Sequence, residues 1–274
     1  MTETHDFQEH AKFIVLENQI SPSRIHDDRL DWLRNRTVPD CATWLFFNKD
    51  FCTWMDVSQN GRVWFWLKGM PGAGKTYLSA AVIDHLRKTD RVLFVFASHA
   101  NKNPLTALAA IQTFIFQAAE DDKDFQSLLV ESNEREIRGS TIYAVAVLKD
   151  YLKTAGTTYM IIDGLDEMDD SERRILLQQL DEVAKDCQIR VLICSRAEDD
   201  ISKALDQKAK TIQVDKENSG SIQKYVNHRS AEWMATCGYD TEAREEVQLA
   251  LLQISGIADG KSKKAFEIRN PCED

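Results

Sequence analysis

No stretch of this 274-residue chain reaches the roughly 18 apolar residues that a membrane-crossing helix requires, so no membrane span is expected. The opening Met1-Thr2-Glu3-Thr4-His5-Asp6 has no basic region and no apolar run behind it. That argues against a secretory leader and for a cytoplasmic protein. The six cysteines show no C-x-x-C spacing, so a zinc site or a disulfide framework has no support and reduced thiols are expected. Positive charge is scarce: 34 Lys and Arg face 44 Asp and Glu, for a formal net charge of −10. Such a surface argues against nucleic acid and anionic membranes as partners. There is no internal repeat, no low-complexity tract, and no Ser–His–Asp or metal-ligand cluster. The composition is that of an ordinary globular protein, 43% hydrophobic and 28% charged, long enough for one substantial core.

Against these absences one segment stands out. Gly69-Met70-Pro71-Gly72-Ala73-Gly74-Lys75-Thr76 reads G-x-x-x-x-G-K-T, the phosphate-cradling P-loop. It follows the apolar run Val63-Trp64-Phe65-Trp66-Leu67 and precedes a helical pattern with Leu78, Ala81, Val82 and Leu86 on one face. Strand, loop and helix are the context the motif needs. Backbone N–H groups of such a loop and the positive end of the following helix suit a polyphosphate. Lys75 is expected to reach the β- and γ-phosphates, and Thr76 to ligate Mg²⁺. The nucleotide-binding set is Gly69, Pro71, Gly72, Ala73, Gly74, Lys75, Thr76 and Tyr77, with Ser195 joining from a later strand.

Two further strand ends support the loop. Tyr159-Met160-Ile161-Ile162-Asp163 is an apolar strand closing on a carboxylate, the Walker B layout in which Asp163 holds Mg²⁺. Gly164-Leu165-Asp166-Glu167 follows, and either Asp166 or Glu167 could polarise a water for attack on the γ-phosphate. Val191-Leu192-Ile193-Cys194 leads to Ser195-Arg196, where Arg196 could sense the γ-phosphate with Ser195 beside it. His99, after another strand, reads as a loop residue rather than a catalytic one, and Cys194 as core packing.

The chain divides into three parts. Residues 1–60 read as helical pieces broken at Pro22 and Pro39, with Leu30, Leu33, Trp44, Leu45, Phe46, Phe51, Trp54 and Met55 as anchors that dock onto a core. Residues 61–215 alternate strands (62–68, 91–97, 157–163, 188–194, 209–214) with amphipathic helices near 75–88, 104–119, 141–153 and 171–185. The near-continuous apolar strands predict a mainly parallel sheet between two helical layers, an α/β/α sandwich. Asp170-Ser171-Glu172 reads as a helix start. From 216 a short helical segment is expected, over 221–236 and 241–255, with a loose tail to Asp274.

Together the three motifs G-M-P-G-A-G-K-T, Y-M-I-I-D-G-L-D-E and V-L-I-C-S-R resemble a NACHT domain, of the STAND class of signal-transducing P-loop ATPases. The D-G-x-D-E form of residues 163–167, with a small residue after Asp163, is the most diagnostic piece. Cys41-Ala42-Thr43-Trp44-Leu45, Phe51-Cys52-Thr53-Trp54, Trp64 to Gly69, and Asp199-Asp200-Ile201 with Leu205 resemble the nephrocystin-like NACHT proteins of filamentous fungi. So do Ile222 and Tyr225-Val226. The resemblance spans roughly 20–260 and implies that strand 188–194 lies between the P-loop strand and the Walker B strand. It also implies ATP or ADP with Mg²⁺, slow or negligible hydrolysis, and a nucleotide-controlled switch in fungal non-self recognition or cell death. ATP in place of ADP would then permit self-assembly, while the abrupt tail motivates pairing with full-length relatives. An active oligomeric ATPase or a P-loop kinase is the enzymatic alternative. Relatives continue past the helical segment with an apolar phrase, a winged-helix region and repeats, whereas here Ala258-Asp259-Gly260 leads into Lys261-Ser262-Lys263-Lys264. The expectation is a C-terminally truncated repeat-protein fragment, which could act as a non-enzymatic decoy or regulator.

Overall fold

The computed structural model describes residues 11–16, 24–58, 63–99 and 104–236. Short helices come first: α1 (11–16), α2 (Arg24–Arg34), α3 (Thr43–Phe47) and α4 (Lys49–Met55). Strand β1 (Trp64–Lys68) runs through the P-loop into α5 (Lys75–Leu86), and β2 (Arg91–Phe96) follows. Four helices come next, α6 (Ala107–Glu120), α7 (Lys123–Glu131), α8 (Glu134–Gly139) and α9 (Thr141–Thr154). Then come β3 (Thr158–Asp163), α10 (Asp170–Asp186), β4 (Ile189–Ser195), α11 (Asp199–Leu205) and β5 (Ala209–Gln213). Helices α12 (Val214–Glu217) and α13 (Ser219–Thr236) end the described chain. The helix expected over 241–255 and the tail lie outside the described residues.

All five strands pair in parallel, in the order β2-β3-β4-β1-β5. Strand β4 therefore separates β1 from β3, as the resemblance implied. Parallel neighbours need crossovers, and the α-helices that supply them cover both faces of the sheet. Side chains alternate between those faces. Trp64, Trp66, Met160, Ile162, Val191 and Ile193 join a core with α6, α9 and α10. Phe65, Leu67, Tyr159, Ile161, Leu192 and Cys194 join another core with α5. The period of two along each strand sends adjacent residues into opposite layers.

The N-terminal anchors belong to the second core. Leu30, Leu33, Leu45, Phe51 and Trp54 are buried there, with Trp44, Phe46 and Met55 partly buried against them. Tyr159 ties this layer to the sheet by donating its hydroxyl to Met55 O at 2.6 Å. The open edge of β2 is blunted by side chains: Gln117 accepts from Phe94 N at 2.8 Å and donates to Phe94 O at 3.0 Å. His26 Nδ1 accepts from Phe96 N at 3.1 Å. A covered edge cannot template pairing with another chain.

Several short helices escape the sequence pattern. Helices α7, α8 and α11 span 9, 6 and 7 residues, too few turns for a clear amphipathic repeat. The start of α10 falls at Asp170 as expected, but its N-cap Asp169 makes no side-chain cap. Glu172 instead reaches across to accept from Ala107 N at 2.7 Å, capping α6 from a neighbouring helix.

Candidate functional site

Strand register brings the three motifs to one rim. Lys68 pairs with Ser195, Cys194 with Asp163, and Asp163 with Phe96, so the P-loop, the 163–167 segment and the 195–196 segment leave the sheet side by side. Ligands of open parallel sheets lie at these carboxyl ends.

The loop is shaped for an anion. Gly74 has φ +89° and caps α5, a left-handed conformation that a side chain would strain. A Cβ there would also meet Asn218 Nδ2 at 2.6 Å. Lys75 folds its ammonium onto the loop, donating to Gly69 O at 2.8 Å and Met70 O at 3.1 Å. Gly69, Pro71, Gly72 and Ala73 form the turn around it.

Next to the loop, Thr76 Oγ1 donates to Asp163 Oδ2 at 2.8 Å. Asp163 is only 4% exposed. Burial pushes its carboxyl up to about 6, against the opposing pull of Thr76 and Lys75. A buried carboxylate beside a hydroxyl, with a lysine close by, is a donor set suited to a hard cation carried in by phosphates. Among the described residues no group of three or more His, Cys, Asp and Glu forms a metal cage of its own.

Gly164 follows at φ +77°, and its Cβ would lie 2.6 Å from Ala97 O. The close approach of this turn to the end of β2 gives the physical reason for a small residue after Asp163. Beyond it the two acidic candidates separate. Asp166 is buried and committed to Arg196: its Oδ1 accepts from Arg196 N at 3.0 Å and its Oδ2 from Arg196 Nε at 2.5 Å. Glu167 is half-buried, and its Oε2 accepts from His99 N at 2.9 Å.

Arg196 remains half-exposed beside that bond, with Glu198 3.7 Å away. Glu198 in turn meets the buried Arg173 at 2.9 Å, and Arg173 also binds Asp200 and Asp170. This chain of charges fixes the 195–200 segment against the start of α10. Ser195 is fully buried, and its hydroxyl accepts from Trp66 Nε1 at 2.8 Å and donates to Arg196 O at 2.9 Å. Its side chain is therefore turned into the sheet, away from the rim where sequence reasoning had placed it beside a phosphate.

Sequence reasoning missed one wall of the site. An apolar cleft opens beside the P-loop, lined by Val38, Ala42, Tyr77, Leu78, Ile222 and Tyr225. Tyr77 stands with its ring 5.7 Å from that of Tyr225, and its hydroxyl is pushed up to about 12, chiefly by burial. Tyr77 belongs to the nucleotide-binding set expected from the sequence. Ile222 and Tyr225 carry a helical pattern and a part of the family resemblance but nothing that puts them beside the loop, and Val38 carries no signal. Asp215 and Asn218, which touch the loop from the far end of the chain, carried none either.

A family model described as Nephrocystin 3, N-terminal matches residues 40–196, more than half of the chain. The Vegetative incompatibility protein HET-E-1 of Podospora anserina is 23% identical over 221 residues, which cover 76% of this chain and 16% of that protein. The chain thus spans about a sixth of that relative's length. Among solved structures, PCH-2 of C. elegans aligns with a TM-score of 0.42 at 16% identity, covering 84% of this chain and 62% of that one. Drosophila ORC bound to GC-rich DNA and Cdc6 aligns with a TM-score of 0.40 at 14% identity, covering 90% and 42%.

Proposed function

The chain belongs to the Nephrocystin 3, N-terminal family and carries a NACHT-type P-loop module, and from that premise we propose that it binds ATP or ADP as a switch. The observation that carries the reading is the 2.8 Å pairing of Thr76 with Asp163 at the mouth of the loop. Lys75 would turn from the loop carbonyls to the phosphates, and the N–H groups of Gly72, Gly74, Lys75 and Thr76 would face them. Thr76 and Asp163 would hold Mg²⁺, which neutralises phosphate charge. The nucleoside would enter the cleft between Val38 and Tyr225.

Hydrolysis is proposed to be slow or negligible. Asp166 is already bonded to Arg196, which leaves Glu167 as the acidic group to orient a water. In the same proposal residues 1–60, 61–215 and 216–274 are the linker, the nucleotide-binding core and the start of a helical domain. The signalling role follows the name of the Podospora relative, vegetative incompatibility, and would involve self-assembly or pairing with longer relatives. A thermal-shift titration with Mg-ATP, Mg-ADP and Mg-GTP tests binding and base preference together. Nucleotide at about 100 times its Kd is expected to add about 2.7 kcal/mol. No shift with any of them at millimolar concentration would overturn the reading.

A further inference from the structure

The corner after β5 reaches back over the P-loop and grips it with two side chains. Asp215 Oδ1 accepts from Met70 N at 3.0 Å, and Gln213 Nε2 steadies the same carboxylate at 2.9 and 3.0 Å. Asn218, only 4% exposed, donates Nδ2 to Ala73 O at 2.8 Å. Its Oδ1 accepts from the Trp44 indole at 2.8 Å. The fit leaves no slack: a Cβ on Gly69 would lie 2.6 Å from Asp215 Oδ1, and one on Gly74 2.6 Å from Asn218 Nδ2.

The bond to Ala73 O fixes a peptide plane. In a trans peptide the C=O and the next N–H point in opposite directions. With the Ala73 carbonyl held by Asn218, the Gly74 N–H is aimed away from Asn218. Asn218 also opens α13: Ser221 N and Ile222 N donate to its carbonyl at 3.1 and 3.0 Å. Asn218 thus touches α3 and the loop with its side chain, through Trp44 and Ala73, and α13 with its backbone carbonyl. Three segments distant in sequence meet on one buried amide, and a buried amide left half-paired is costly.

We propose that Asn218 is the positioning residue of the phosphate loop and that Trp44 registers the loop's occupancy through it. The proposal rests on the reading that the loop binds nucleotide phosphates. Filling the loop draws its backbone donors toward the phosphates and shifts the Ala73 carbonyl. Asn218 passes that shift to the indole of Trp44 and to the first turn of α13.

The test uses the full 274-residue chain. Calorimetric titration with Mg-ADP compares wild type with Asn218→Leu, which removes both side-chain bonds at similar volume. Binding is expected to weaken roughly tenfold, the loss of one net hydrogen bond. Asn218→Asp keeps an acceptor for the indole, removes the donor to Ala73, and is expected to weaken binding at least as much. A purely structural role would lower the melting temperature of these variants and leave their Kd at the wild-type value, which would overturn the proposal. The second readout is the indole N–H resonance of Trp44 in wild type, assigned with Trp44→Phe. It is expected to shift on saturation with Mg-ADP; a resonance that stays in place while the other amides report binding would overturn the coupling even if Asn218→Leu does not fold. Wild type that binds no nucleotide would sink the functional reading itself, whereas equal binding by wild type and the Asn218 variants sinks this proposal alone.

Discussion

The Thr76 hydroxyl donates to the Asp163 carboxylate across 2.8 Å, joining the first turn of α5 to the end of β3. Asp163 accepts this bond in a buried position that opposes its charge. Asp163→Asn removes a charge that the empty protein must bury at neutral pH. Its stability without ligand is expected to hold or rise, while the Mg²⁺-dependent part of nucleotide stabilisation disappears. Melting curves with nucleotide in Mg²⁺ or in EDTA check this, and an undiminished Mg²⁺ increment in the variant would count against the assignment.

Lys75 donates its ammonium to two loop carbonyls, Gly69 O and Met70 O. Lys75→Ala is therefore expected to leave the melting temperature of the ligand-free protein little changed. Nucleotide affinity should fall by roughly ten- to hundredfold, the worth of a charge-assisted hydrogen bond. Calorimetric titration measures it.

Glu167 and Asp166 are expected to differ in what they do. Glu167→Gln should abolish whatever phosphate release the protein shows and preserve nucleotide binding. Asp166→Asn should free Arg196 and lower stability instead, because a buried partner of a guanidinium is lost. Phosphate release that survives both Glu167→Gln and Lys75→Ala would trace to a contaminant and leave no hydrolytic role for this site.

Gly164→Ala puts a Cβ at φ +77° and 2.6 Å from Ala97 O. Loss of about 1–3 kcal/mol of unfolding free energy is expected from the backbone strain alone. Urea denaturation measures the loss, and a variant as stable as wild type would show that the turn relaxes freely.

His26 sets a pH dependence. Its Nδ1 accepts from Phe96 N, and burial lowers its pKa from 6.5 to about 4. Between those values the unfolded chain binds a proton that the folded chain refuses, so stability falls as pH drops. The contribution is complete above pH 6.5 and amounts to roughly 3 kcal/mol across the window. His26→Gln keeps an acceptor and should flatten this part of the profile. Matching slopes for the two proteins would show that other groups govern the pH response.

The P-loop, the acidic strand end and the parallel sheet were legible because each is written in consecutive residues. Gly69 to Thr76 is a contiguous code, and β2 and β3 are short apolar runs that only a doubly covered sheet buries. The short helices α7 and α11 were not legible, since two turns carry too little periodicity. Ser195 and Arg196 stand at the carboxyl end of β4, but the directions of their side chains depend on partners elsewhere: Trp66 claims the Ser195 hydroxyl and Asp166 claims the Arg196 guanidinium.

The sequence by itself determined that a P-loop motif, a strand-end carboxylate and a mainly parallel α/β core belong to this protein. Local backbone chemistry and strand periodicity carry that information within a few residues. Only the tertiary structure decided which groups are free at the site. Asn218 reaches Ala73 and Trp44 across long stretches of chain. Pairings of that kind are set by how β5 and α13 pack back onto the loop, and no local pattern encodes them.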